Sequence, residues 1–142
     1  FANLTMPVFI AHFFFGKRER TMPLFHVRLE LARSKEFPNG SAHHGYEFVA
    51  PLDAKGHLNT DEWKSHKARC TVRRFTAGEA DENGMLVDVG RGWKFDYDAS
   101  DTDDDEPLFK LDRHVIKHGE YLSIKEHDGV MRTFKIVSVR AI

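Results

Sequence analysis

The stretch Gly119-Glu120-Tyr121-Leu122-Ser123-Ile124-Lys125-Glu126-His127-Asp128-Gly129-Val130-Met131-Arg132-Thr133-Phe134-Lys135-Ile136 holds two alternating apolar runs around one turn. An odd-numbered loop sets Leu122, Ile124 and Glu126 on one face with Val130, Arg132, Phe134 and Ile136. A two-residue Asp-Gly turn would instead place Ile124 beside Thr133 and Leu122 beside Lys135, mixing the faces. The pattern therefore predicts a three-residue loop, His127-Asp128-Gly129, with Gly129 in the left-handed position of a G1 bulge. It also sets the class of the domain as β-rich.

Working outward, residues 84–89 and 93–97 read as a second hairpin around Gly90-Arg91-Gly92. A three-residue loop there would pair Val89 with Trp93, Val87 with Phe95 and Met85 with Tyr97 on the inner face, with Asp88 opposite Lys94. Nearer the amino terminus, Phe25, Val27, Leu29 and Leu31 alternate with His26, Arg28 and Glu30, as a half-buried strand requires. Residues 34–45 hold Pro38, Asn39, Gly40 and Gly45 and read as a connection, and 46–52 as an interior strand ending near Pro51. Strands are also expected at 71–75 and 108–116.

One helix is expected over about 60–70, with Thr60 as N-cap, Asp61 and Glu62 in the first turn, and Lys67 and Arg69 near the end. Trp63, His66 and Cys70 would share a stripe packed on the sheet. Some seven or eight strands with one short helix make the domain mainly β, α+β by content, with an antiparallel barrel or sandwich as the expected architecture.

The chain has 142 residues, 41% of them hydrophobic, enough for one core and too few for two ordinary domains. Its formal charge of −1 is unevenly spread, since seven of the eleven residues 96–106 are acidic and none is basic. The rest sets 21 basic against 15 acidic residues, a body of +6 with no dense basic stripe. Residues 1–15 are apolar and aromatic, and Lys17, Arg18 and Arg20 follow them. Basic residues after the apolar run are the wrong order for a secretory signal, and the run is short of the roughly 20 residues that span a bilayer. Residues 1–21 are therefore read as an atypical extension, with a natural start at Met22 and a single domain over 22–142. The other readings for such a segment are an extra strand or short helix packed on the domain, and a partner or membrane anchor, including self-association through residues 1–15. The lone cysteine, Cys70, excludes an internal disulfide and suits a cytoplasmic location.

Two segments, Gly45-Tyr46-Glu47-Phe48-Val49-Ala50-Pro51-Leu52-Asp53 and Gly119-Glu120-Tyr121-Leu122-Ser123-Ile124, with Glu126, Asp128 and Gly129 beyond, resemble parts of an uncharacterised family of short bacterial hypothetical proteins. The resemblance covers about 22–142 and implies a bacterial source. It carries no activity.

Candidate chemistry is sparse. Asp96, Asp98 and Ser100 match the first ligand spacings of a calcium loop, but Asp101 stands where a glycine is needed and Pro107 where a glutamate is. The acidic run therefore reads as a solvated loop. His66 and Cys70, four apart on a helix, are a usable zinc spacing that His43 and His44 could approach, yet no spaced zinc motif is present, so neither metal nor cofactor is expected. Catalysis would rest on His43, His44, Glu47 and Glu120, acting as carboxylate and histidine groups of a hydrolase. Glu126 could join Glu47 and Glu120 in a barrel mouth, and its structural alternative is half of an exposed pair with Arg132. Nucleic-acid binding would use Arg73, Arg74 and Arg91 with Trp93 as a stacking platform, although the expected register turns Trp93 to the core. The reading that these residues favour is a binding or interaction module. A hydrolase and a weak single-strand nucleic-acid binder stand as alternatives.

Overall fold

The computed structural model describes residues 23–90, 92–97, 105–108 and 110–142. The closing hairpin pairs as its apolar alternation dictates, with Leu122 opposite Phe134 and Ile124 opposite Arg132. Gly129 has φ of +83°, and its amide donates to the carbonyl of Glu126 at 2.8 Å, closing the three-residue loop.

Eight antiparallel strands follow one another around a closed barrel: β1 Leu24–Leu31, β2 Ser41–Pro51, β3 Thr71–Thr76, β4 Glu82–Asp88, β5 Trp93–Asp96, β6 Glu106–Leu108, β7 Tyr121–Lys125 and β8 Met131–Ala141. Of the two expected architectures, the chain adopts the barrel. β1 and β8 close it, from Phe25 opposite Ala141 to Leu31 opposite Phe134; β8 bulges at Val137, between the partners of Arg28 and Leu29, and β2 carries extra residues between Ser41 and Gly45, irregularities of the kind that bend strands for closure. Inside lie Val27, Leu29, Tyr46, Phe48, Phe95, Leu122, Ile124, Phe134 and Ile136, all buried. Their side chains fill the barrel, as expected at eight strands.

The second hairpin departs from its expected register. Asp88 stands opposite Trp93 and Leu86 opposite Phe95, so the loop has four residues, 89–92, and Leu86 rather than Val87 enters the core. Both parities of β4 carry apolar side chains, so alternation alone could not choose. Space chooses instead: a Cβ on Gly84 would lie 2.3 Å from the carbonyl oxygen of Asp96, so the inward set must be the one that contains glycine. Met85 and Val87 turn outward, and Val89 in the loop is exposed.

Other boundaries move for local reasons. β2 starts at Ser41, which shortens the expected connection and puts His44 in a strand. The helix α1, Thr60–Ser65, is capped by Asn59, whose side chain accepts the Glu62 amide at 3.0 Å, and a 3-10 turn at Lys67–Arg69 replaces its expected second half. Asparagine caps better than threonine, so the helix starts one residue early relative to a Thr60 cap. The expected strand 108–116 is a three-residue β6 followed by a 3-10 turn at Leu111–Arg113. There the chain leaves the sheet so that Leu111 and Ile116 can be buried.

The two barrel ends differ. One is covered by α1: Trp63 packs edge-on against Trp93 at 5.0 Å, and Leu58 joins the same core. The other end is polar. Among the described residues no helix is long and apolar enough to cross a membrane.

Candidate functional site

Alternation that buries apolar groups at mid-barrel also aims the last side chain of each strand inward. At the end opposite α1 these are polar: His44 and Tyr46 from β2, Arg74 from β3, Glu82 from β4, Glu106 from β6 and Arg132 from β8. Tyr97, Glu126 and His127 follow directly after β5 and β7. The register brings them together, since Arg74 lies opposite both Tyr46 and Glu82, and Phe95 lies opposite Glu106.

At the centre, the Tyr46 hydroxyl lies 2.8 Å from Glu106 Oε1 and 2.6 Å from Glu126 Oε2. Tyr97 donates its hydroxyl to Glu106 Oε1 at 2.8 Å, and the His127 amide donates to Glu106 Oε2 at 2.9 Å. Glu126 accepts from His44 Nε2 at 2.9 Å, from Arg132 at 3.0 Å and from Arg74 at 3.2 Å. Glu82 takes the outer position, accepting from His127 Nε2 at 2.8 Å and from Arg74 at 3.4 Å. Below, Phe134 and Phe95 pack against Tyr46 at 5.1 and 5.2 Å.

The two carboxyls sit in opposite electrostatic settings. Burial raises the pKa of both. For Glu126 the hydrogen bonds of His44 and Tyr46, with the charges of His44 and Arg74, outweigh burial and hold the carboxyl down to about 2. For Glu106 burial wins over Arg74, Tyr97 and His127, and the carboxyl is raised. Burial, and then the nearby carboxylates, push the Tyr46 and Tyr97 hydroxyls far above the ordinary phenol range. Arg74 keeps its charge despite burial because Tyr46, Glu106 and Glu126 face it. Two carboxyls whose pKa values are pushed apart are a usable acid-base set, but a substrate must reach it. Glu106 is 0% exposed and Glu126 only 3%. Two surface grooves, of about 660 and 620 Å³, lie elsewhere: one beside Thr60, Trp93 and Arg113, the other between Glu30, Tyr121 and Lys135.

No family model, curated protein or solved structure matches the chain.

Of the residues weighed for catalysis, His44 and Glu126 enter this cluster and meet there. His43 is exposed. Glu47 is one position from Tyr46 and so faces outward, bound to Arg28 at 2.7 Å and Arg73 at 2.6 Å. Glu120 precedes β7, at the far end of that strand from Glu126. The strand parity that separates Glu47 from His44 also separates Arg73 from Arg74. Arg73 lies on the outside over Phe75 and paired with Asp81, whereas Arg74 points inward. Trp93 is buried under α1, and Arg91 lies outside the described residues. No basic stacking platform forms from Arg73, Arg74 and Trp93. His66 gives its Nδ1 to the Glu62 carbonyl at 2.9 Å, and Cys70 is buried, at the α1 end of the barrel from His44. Among the described residues no group of three or more His, Cys, Asp and Glu side chains could hold a metal ion.

The expected exposed pair of Glu126 and Arg132 is corrected: the bond forms, but Glu126 is buried and shared with Arg74, Tyr46 and His44. Tyr46, Glu82, Tyr97 and Glu106 were not among the expected site residues, and Arg74 was expected only in the nucleic-acid platform. A signal for them exists. Arg74 shares parity with Val72, and Glu106 with Leu108, so charged side chains fall on core faces at strand ends. The residues expected as an apolar extension, 1–21, and most of the acidic run, 98–104, lie outside the described residues.

Proposed function

We propose that this protein is a binding module that recognises a protein partner through the outer side of the β7–β8 hairpin. One observation carries the reading. Tyr121 and Met131, at 48% and 51% exposure, are large apolar side chains left in solvent on the outer face of one hairpin, with Val130 exposed beside its turn. The filled interior leaves recognition to the surface. Tyr121 lies opposite Lys135 and Met131 opposite Lys125, so the apolar pair is flanked by two exposed lysines that make no ion pair among the described residues. Such a strip suits a partner that brings apolar groups beside carboxylates.

A bacterial cytoplasm is the setting we infer, supported by the resemblance in two segments and by a lone cysteine held inside the core. The sealed state of the polar end speaks against a hydrolase, and the burial of Trp93 against single-strand binding.

A photoreactive residue at position 131, and at 43 as a control, tests the partner reading in cells. One dominant adduct from 131, absent from 43 and lost when Lys125→Glu and Lys135→Glu are added, is expected. Equal labelling from both positions, or an adduct indifferent to the charge reversal, would refute it.

A further inference from the structure

The barrel is not equally sewn around its circumference. β1 and β2 share eight paired positions, whereas among the described residues β6 and β7 are joined by the single pair Leu108 and Ile124. β6 is only three residues long. The two buried carboxyls stand on either side of this thin seam. Two residues up from the Leu108–Ile124 pair, Glu106 projects from β6 and Glu126 from the end of β7.

Between them is one phenolic hydrogen. The Tyr46 oxygen is within hydrogen-bond distance of both carboxyls, yet a hydroxyl donates only once. With both glutamates ionised, one of these contacts would press two lone pairs together at 2.8 Å or less. A second proton removes the conflict: Glu106 donates to the Tyr46 oxygen, and Tyr46 donates to Glu126. The surroundings fix its side. Glu126 faces Arg74 and Arg132 and accepts from His44, which suits an anion. Glu106 is fully enclosed, with Tyr97 and the His127 amide as donors and Arg74 at a longer 3.4 Å. Glu82 draws on both Arg74 and His127 and so weakens their compensation for Glu106. Asp128 takes part of Arg132, and Asp105, next to Glu106 in sequence, is neutralised by Lys94 on the neighbouring strand.

We propose that Glu106 and Glu126 share one proton through Tyr46, and that loss of this proton opens the β6–β7 seam. Departure of the proton to solvent base leaves two adjacent carboxylates with one hydroxyl between them. Their repulsion acts across the place where the fewest backbone hydrogen bonds oppose it. The His127 amide bond to Glu106 is the other tie across the seam, and it moves with the same two groups. The device is independent of any partner bound by the outer hairpin face.

Carbon-13 NMR of the glutamate carboxyl carbons, followed against pH on the full chain, tests the proton directly. Glu106 is expected in its protonated form at pH values where Glu126 is ionised. Hydrogen exchange tests the seam: protection in 106–108 and 121–125 should fall by tenfold or more across the Glu106 transition, while β1 and β2 keep theirs. Glu106→Gln, which keeps the shape and cannot ionise, should abolish that pH dependence. Titration of Glu106 in the ordinary carboxylate range overturns the shared proton. Seam protection that changes with pH as β1 and β2 do, or equally in Glu106→Gln, overturns the opening. The carboxyl titration needs no variant, so it stands even if Glu106→Gln fails to fold.

Discussion

The indole Nε1 of Trp63 donates to the backbone carbonyl of Leu86 at 3.0 Å, tying the only α-helix among the described residues to the inner face of β4. A helix of six residues has too few internal hydrogen bonds to stand alone, so this bond and the indole packing hold it on the barrel. Trp63→Phe keeps an aromatic ring but strands a buried carbonyl, and should cost about 1–3 kcal/mol. Trp63→Ala should cost about 3–5 kcal/mol. Urea unfolding of the two variants measures both.

The observed register of β4 and β5 separates two aliphatic residues that are three apart in sequence. Leu86 is buried against the core and Val89 is exposed. Leu86→Ala should lose about 2–5 kcal/mol, whereas Val89→Lys should stay within about 0.5 kcal/mol of the parent. The opposite ranking in denaturant unfolding would restore the three-residue loop.

Glu126 makes stability depend on acid. Its carboxyl is held down in the folded chain, to about 2, against about 4.3 when unfolded. The folded state therefore binds this proton less readily. Its stabilisation is fully present above about pH 4.3 and lost as pH falls through the folded value. Glu106 has the other sign. Its folded carboxyl is raised, so its contribution declines as pH rises from the ordinary glutamate value to its own. Glu126→Gln leaves Arg74 and Arg132 without their shared anion and should cost about 3 kcal/mol near neutrality. It should also flatten the acid limb of a stability profile measured by urea unfolding from about pH 5 to pH 2.

Burial pushes the Cys70 thiol up to about 11, with Arg69 pulling weakly the other way. A native thiol that is both enclosed and protonated does not attack disulfides. An aromatic disulfide reagent at mildly alkaline pH should leave the native protein unlabelled and react with one equivalent in urea. Rapid labelling without urea would show that the core at Cys70 opens.

How far the chain could be read ahead of its structure varied by element, and the reasons are physical. The closing hairpin was legible because Leu122, Ile124, Phe134 and Ile136 all fall on one parity. β4 was not, because Leu86 and Val87 compete and the decision lies with the tight approach of Gly84 to Asp96 on another strand. The polar cluster was half legible. Glu126 reads from sequence as sharing a face with Ile124, but its partners His44, Tyr46 and Arg74 come from strands far away in the chain. A charge at a strand end resembles a solvated rim until those partners are placed. Glu47 shows the converse, a carboxylate that alternation puts outside and two arginines hold there.

The pairing of β1 with β8 sets a timetable for biogenesis. Phe25 meets Ala141 and Leu31 meets Phe134, so the ladder that completes the circle joins positions near opposite ends of the described chain. During synthesis the earlier strands leave the ribosome as an open sheet in which β1 has no outer neighbour among the described residues until β8 follows. Closure waits for β8 and must then meet the entropic cost of a loop made of nearly the whole domain. Such long-range contacts predict slow folding for the chain's size. In the cell, that leaves an interval in which β1 is exposed to chaperones and to strands of other chains.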